Sequence, residues 1–180
     1  MEEEVKIEVH AFGNFVPENA KYLILGSFSG RGSPTGTGVK DPTYDWYYGT
    51  MRNQFWPILE EVYGIELKTL GAKQSLFTKL GIAIADIIYR CNRNKDTASD
   101  ANLTIIEYNE AIPGIIQQNK IEKIFFTSRF TETKFATHFG KLNVFSPTLE
   151  LITLPSPSPR YARMRLAEKI KVYRISLPKM

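Results

Sequence analysis

The stretch Lys21-Tyr22-Leu23-Ile24-Leu25-Gly26-Ser27-Phe28 reads as a short, fully buried strand, apolar through Leu25 and ended by a glycine. Working outward, Lys123–Thr127 (KIFFT) and Leu149–Leu154 have the same character. Gly81–Ile88 is as apolar, but too short for its period to separate strand from helix. Helices are predicted between these runs. Asn53 can cap one running to about Tyr63, with Phe55, Leu59 and Val62 on one face and Gly64 as its stop. Ser75 can cap a short helix ending before Gly81. Ile112, Ile115 and Ile116 are helically spaced, with Pro113 in a first turn or at a kink. Ser128 can cap a helix carrying Phe130, Phe135 and Phe139, and Tyr161–Val172 closes the chain as a helix. Strands alternating with helices predict an α/β protein, a mostly parallel sheet sandwiched by helices with right-handed crossovers.

With 180 residues, 43% of them hydrophobic, the chain can bury most of its apolar surface without disulfides or metal staples. One domain over 1–180 is expected. Within it, 1–19 is a packing arm around Phe12, Phe15 and Val16, and 30–45 is an unusually long loop rich in Gly, Ser, Thr and Pro. A net charge of +4 permits polyanion binding without demanding it. The single cysteine, Cys91, rules out an internal disulfide framework and a cysteine-cluster metal site, and is expected to be buried. His10 and His138 are too few and too isolated for a zinc set, so no metal and no cofactor is expected. Neither a leader pattern nor an apolar run of membrane-spanning length is visible. The expected setting is the cytoplasm, with no membrane partner, and the expected state is a monomer.

Two loops at predicted strand ends stand out, Gly26-Ser27-Phe28-Ser29-Gly30 and Pro155-Ser156-Pro157-Ser158-Pro159. The carboxyl ends of strands are where open α/β sheets bind ligands. Glycines there let backbone amides approach, and serines can donate to phosphate. The prolines fix φ and supply no N–H, so the second loop is stiff. Gly-Ser turns are also often plain turns, and neither Walker nor dinucleotide glycine spacing is present. Between the loops lies Tyr47–Pro57 (YYGTMRNQFWP), where aromatics, Arg52 and the amides of Asn53 and Gln54 could stack a planar base and read its edges. Phe55 and Trp56 fit a core equally well, and Asn53 a helix cap. Asp86, inside Ile82–Ile88, suits an ion pair or a cap about as well as catalysis. Arg160, Tyr161 and Arg163 follow the Ser-Pro loop as candidate DNA contacts, with Arg160 and Tyr161 placed to enter a vacated base stack. Lys169 and Lys171 read as a solvated helix face.

Taken in order, the strand with GSFSG, then YYGTMRNQFWPIL, then LPSPSPRYA resembles the uracil-DNA glycosylase superfamily, most closely its mismatch-specific-like and hypoxanthine-DNA glycosylase branches. The resemblance spans roughly Lys21 to Ala167. It implies a three-layer α/β/α sandwich and hydrolysis of a deaminated base from DNA, hypoxanthine ahead of uracil. Phe28 stands where mismatch-specific members have an asparagine, and the asparagine of the N-x-F-W segment, Asn53, takes its place in the hypoxanthine-acting branch. The resemblance gives Tyr48 the role of stacking on the flipped base. It groups Gly26, Ser27, Phe28, Ser29, Thr127 and Ser128 as the base pocket. Ser29 replaces a usual proline, Thr50-Met51 a usual His-Pro, and Phe126-Thr127-Ser128 a usual Phe-Asn-Gly. These changes equally suit a protein that keeps the fold and holds DNA or a nucleotide without cleaving.

Cutting an N-glycosidic bond needs a positioned water and oriented dipoles, and no cofactor. Asn53 could orient that water, with Asp86 as the rival. Amides around Gly26–Gly30 could stabilise the departing base, and Ser156 and Ser158 could hold flanking phosphates. No lysine falls within the matched motifs, so base release without strand cleavage is expected.

Overall fold

The computed structural model describes residues 7–29, 46–93, 99–141 and 145–180. The long loop expected at 30–45 lies outside the described residues. Four strands form a parallel sheet in the order β3-β2-β6-β7, with β2 at Tyr22–Gly26, β3 at Ile82–Asp86, β6 at Lys123–Phe126 and β7 at Glu150–Thr153. The apolar character of β2 has a direct cause: successive side chains alternate between two covered faces. Ile24 meets Ile84 and Phe125 on one face, whereas Leu23 and Leu25 join Ala83, Ala85, Ile124 and Phe126 on the other. The first face is covered by α1 (Phe55–Tyr63), α2 (Leu70–Leu80) and α5 (Leu166–Ser176). The second is covered by α3 (Ile112–Gln118) and α4 (Arg129–His138). The predicted three-layer α/β/α sandwich is therefore the architecture. Among the described residues no helix is long and apolar enough to cross a membrane.

Several local expectations hold. Ser128 caps α4 by accepting from the Thr131 amide at 3.2 Å, Pro113 sits in the first turn of α3, and Cys91 is buried. Others need correction. Asn53 stands one residue outside the α1 cap position, where its Oδ1 accepts from the Phe55 amide at 2.9 Å. Ser75 caps nothing. Helix α2 begins at Leu70 and Thr69 Oγ1 accepts from the Ala72 amide, because the helix runs straight through Gly71. It ends at Gly81, whose φ of 66° and close approach to the Asn19 carbonyl oxygen both require glycine. The closing helix starts at Leu166, later than Tyr161, because Tyr161 and Ala162 continue the Ser-Pro turn by bonding Ser158 O and Arg160 O. Glu168 Oε2 then accepts from the Arg165 amide and fixes the start.

A second, antiparallel sheet was not anticipated. It has the order β1-β4-β5, with β1 at Ile7–Val9, β4 at Ile88–Arg93 and β5 at Leu103–Tyr108. It follows the parallel sheet almost without a linker, since Ile87 alone separates β3 from β4. The arm preceding β2 bridges the β3 edge of the parallel sheet. Phe15 pairs with Ile84 through two backbone bonds of 2.9 and 3.1 Å.

Candidate active site

The registers of the parallel strands align their ends. Gly26 pairs with Asp86, the Thr127 amide donates to Leu25 O, and the Leu154 amide to Phe126 O. Asp86, Gly26, Thr127 and Leu154 thus form one row across the carboxyl edge. By the period of two, all four lie on the face covered by α1, α2 and α5. Gly26 is needed there, because a Cβ would collide with Asp86 Oδ1 and the Tyr48 hydroxyl. Tyr48 hydrogen-bonds Thr127 Oγ1 at 2.9 Å and stacks on Phe55, centroids 4.2 Å apart. It holds this place at φ 56°, a left-handed conformation costly for an aromatic residue. Burial, and secondarily the negative charge of Asp86, push the Tyr48 phenol well above its ordinary range, so it stays protonated.

Asp86 is 2% exposed, and its partner is His10 of the N-terminal arm, Nε2 to Oδ2 at 2.8 Å. Oδ1 has no hydrogen-bond partner among the described residues. Nδ1 of His10 faces the carbonyl and the amide of Phe12, donating to the first when it carries a proton and accepting from the second when it does not, so either state orients the ring. Tyr47 and Phe28 pack against it with centroids at 5.4 and 6.0 Å. On its other side opens a cleft of about 310 Å³ lined also by Tyr89, Glu107, Tyr108 and Glu110. Burial by itself would lower the imidazole pKa, but the Asp86 hydrogen bond and charge outweigh it and raise the value. The sequence reading missed His10. Seventy-six positions separate it from Asp86, and nothing in the local pattern of either residue signals the pairing.

This pair gives a stability prediction. A histidine whose folded pKa is raised stabilises the fold fully below its ordinary value of about 6.5, and loses that contribution as pH rises through the folded value. Urea unfolding across a pH series should show this decline in the wild type and a flatter profile in His10→Gln. Identical slopes in both proteins would refute the assignment.

The remaining pocket candidates divide. The Ser27 hydroxyl donates to Asp100 Oδ1 at 2.7 Å, and Ser29 O accepts from the Ala11 amide at 2.9 Å. Ser27 and Ser29 thus tie the first loop to its neighbours, while Phe28 packs on His10. The Ser128 hydroxyl is committed to the start of α4. Asn53 is half-buried with Oδ1 engaged, leaving its Nδ2 as donor. Phe55 and Trp56 are core residues, and Arg52, Arg160 and Arg163 are exposed.

The Ser-Pro loop is anchored through its carbonyls. Pro155 O accepts from the Tyr173 hydroxyl at 3.0 Å, Pro157 O from the Gln54 amide at 2.9 Å, and Ser158 O from Lys169 Nζ at 3.0 Å. Ser156 Oγ accepts from the Ser158 amide and Ser158 Oγ from the Arg160 amide, so each hydroxyl keeps its own hydrogen to donate. Lys169 corrects the expectation of a solvated position: it is 1% exposed and also donates to Gln54 Oε1 at 2.9 Å. Its spacing from Tyr173 and Leu177, four and eight residues on, places it on the buried stripe of α5.

No family model matches the sequence, and no curated protein does. Among solved structures, the chain is similar to the solution NMR structure of a putative uracil DNA glycosylase from Methanosarcina acetivorans. The match has 23% identity, a TM-score of 0.63, and covers 94% of this chain and 98% of that one. The fold is uracil-DNA-glycosylase-like.

Proposed function

We propose that this protein is a DNA glycosylase-like hydrolase that releases a deaminated base, hypoxanthine ahead of uracil, and leaves an abasic site with the strand intact. The observation that carries the reading is Asp86, a buried carboxylate held by His10 with Oδ1 unengaged among the described residues, at the carboxyl edge of a uracil-DNA-glycosylase-like sheet. In this reading the oxygen of a water bonds C1′ of the sugar as the C1′–N bond breaks. Asp86 takes the water's proton, and the electron pair departs with the base, which is then protonated from solvent. Asn53 offers its Nδ2 donor, and Tyr48 its ring and neutral hydroxyl. Ser156, Ser158, Arg160, Tyr161, Arg163 and Arg52 hold the DNA. The protein acts as one domain and as a monomer.

Incubation with duplexes carrying hypoxanthine or uracil, followed by alkali, tests this. Alkali-labile breaks at hypoxanthine, faster than at uracil, are expected, with about a hundredfold loss in Asn53→Ala if that amide positions the reacting groups. An unchanged rate in that variant would leave Asp86 to act without it. Breaks that appear without alkali would refute the intact-strand product.

A second reading is a protein of this fold that holds DNA without cleaving it. The Tyr48–Thr127 hydrogen bond favours it, because that contact occupies the space beside Gly26. Salt-sensitive duplex binding with no alkali-labile site for either base would select it.

A further inference from the structure

We propose that the attacking water sits in a seat of two acceptors, Asp86 Oδ1 and Tyr48 Oη, and that Thr127 makes the phenol an acceptor by taking its hydrogen. This deepens the reading above and rests on it for the reaction. The geometry is set at Gly26. Asp86 Oδ1 and Tyr48 Oη each lie 2.3 Å from the point that a Cβ on Gly26 would occupy, so they are no more than twice that distance apart. They do not hydrogen-bond each other. One water at ordinary hydrogen-bond lengths of about 2.8 Å joins two acceptors about 4.5 Å apart, within the limit this row sets. Oδ2 is the oxygen given to His10, at 2.8 Å. No buried side-chain oxygen or nitrogen among the described residues lacks a partner, so Oδ1, which has none, belongs to the small part of Asp86 that water reaches.

The hydrogens along this row run one way. The Thr127 hydroxyl donates to Leu25 O, at 3.5 Å, and therefore accepts from the Tyr48 hydroxyl, at 2.9 Å. The phenol hydrogen thus points to Thr127, and Tyr48 Oη keeps its lone pairs for another donor. Burial and the Asp86 charge keep that phenol protonated. Stacking on Phe55 fixes the ring that carries it. Between a carboxylate oxygen and a phenol oxygen that both accept, a water places one hydrogen on each and leaves its own lone pair for C1′. As the water oxygen bonds C1′, Asp86 Oδ1 takes the hydrogen it holds and the C1′–N electron pair leaves with the base. The remaining hydrogen stays on the new 1′-hydroxyl, against Tyr48 Oη. Tyr48 touches the reacting atoms, and Thr127 acts through it as a positioning residue.

Single-turnover base release from duplexes carrying hypoxanthine or uracil, run in aqueous methanol with the full chain, tests the seat. Water satisfies both acceptors, whereas methanol, with one hydroxyl hydrogen, satisfies one. The wild type is therefore expected to form the 1′-hydroxyl sugar with little 1′-methyl glycoside. Tyr48→Phe keeps the ring and its stack on Phe55 but loses the acceptor. Release should fall by about a hundredfold at unchanged duplex affinity, and the share of methyl glycoside should rise. Thr127→Val should do the same, because the freed phenol hydrogen turns to Asp86 Oδ1, and Thr127→Ser should restore both readings. A wild-type rate in Tyr48→Phe, or a slower rate with an unchanged product ratio, overturns the seat. If Tyr48→Phe fails to fold, the two Thr127 variants decide. A crystal structure of the free protein is an independent check: a water within hydrogen-bonding distance of both oxygens is expected, and its absence overturns the proposal. That water in a wild-type protein that releases neither base keeps the seat and removes the glycosylase reading.

Discussion

Asp86→Asn is expected to slow base release by about 10²–10⁴-fold, the usual contribution of a positioned general base. Asparagine has nearly the same shape and still offers an oxygen to His10, so the variant should fold. What it lacks is the basicity to take a proton from water and the charge that raises the His10 pKa. The His10 titration should therefore fall in this variant, readable by NMR on the imidazole. Full activity in a folded Asp86→Asn protein would remove Asp86 from the chemistry and return the bet to Asn53. A loss of rate without any change in the imidazole titration would instead separate the catalytic role from the ion pair.

Gly26→Ala is expected to damage both fold and activity. The added methyl would meet Asp86 Oδ1 and the Tyr48 hydroxyl at distances no real Cβ tolerates. Gly26 is a buried strand residue, so its backbone cannot easily move away. Either the carboxylate or the phenol must then shift. Overpacking of this kind costs about 1–3 kcal/mol, and each kcal/mol lowers Tm by about 2–4 °C at this chain length. Calorimetry and the alkali assay on the same preparation check it. If Tyr48 yields, its hydrogen bond to Thr127 breaks; if Asp86 yields, it leaves His10. Wild-type stability together with wild-type rate would contradict the close packing at this row.

The central layer was legible because a strand buried on both faces is apolar throughout, as Leu23–Leu25 and Ile124–Phe126 are. Ser128 was legible as a cap because a capping side chain acts on amides two or three residues away. The antiparallel sheet was not, since Leu103–Tyr108 mixes apolar and polar residues without clean alternation and precedes a helically spaced run. Half of the site was readable from loop chemistry at the strand ends. The other half was not, because tertiary context decides it. His10 becomes a site residue only when the arm folds back on Asp86. Lys169 becomes buried only when α5 packs under the loop, although its place on the stripe with Tyr173 and Leu177 was a usable signal.

The arm that delivers His10 also lies along β3, an outer strand of the parallel sheet, and joins it through Phe15. An open strand edge is a template for another chain, and proteins that leave one bare aggregate. One stretch of six residues, His10 to Phe15, therefore covers one edge of the sheet and pairs with its buried carboxylate. On the proposed function, a molecule whose arm comes away would lose activity and bare a strand edge together, so solubility and chemistry would place their demands on the same residues.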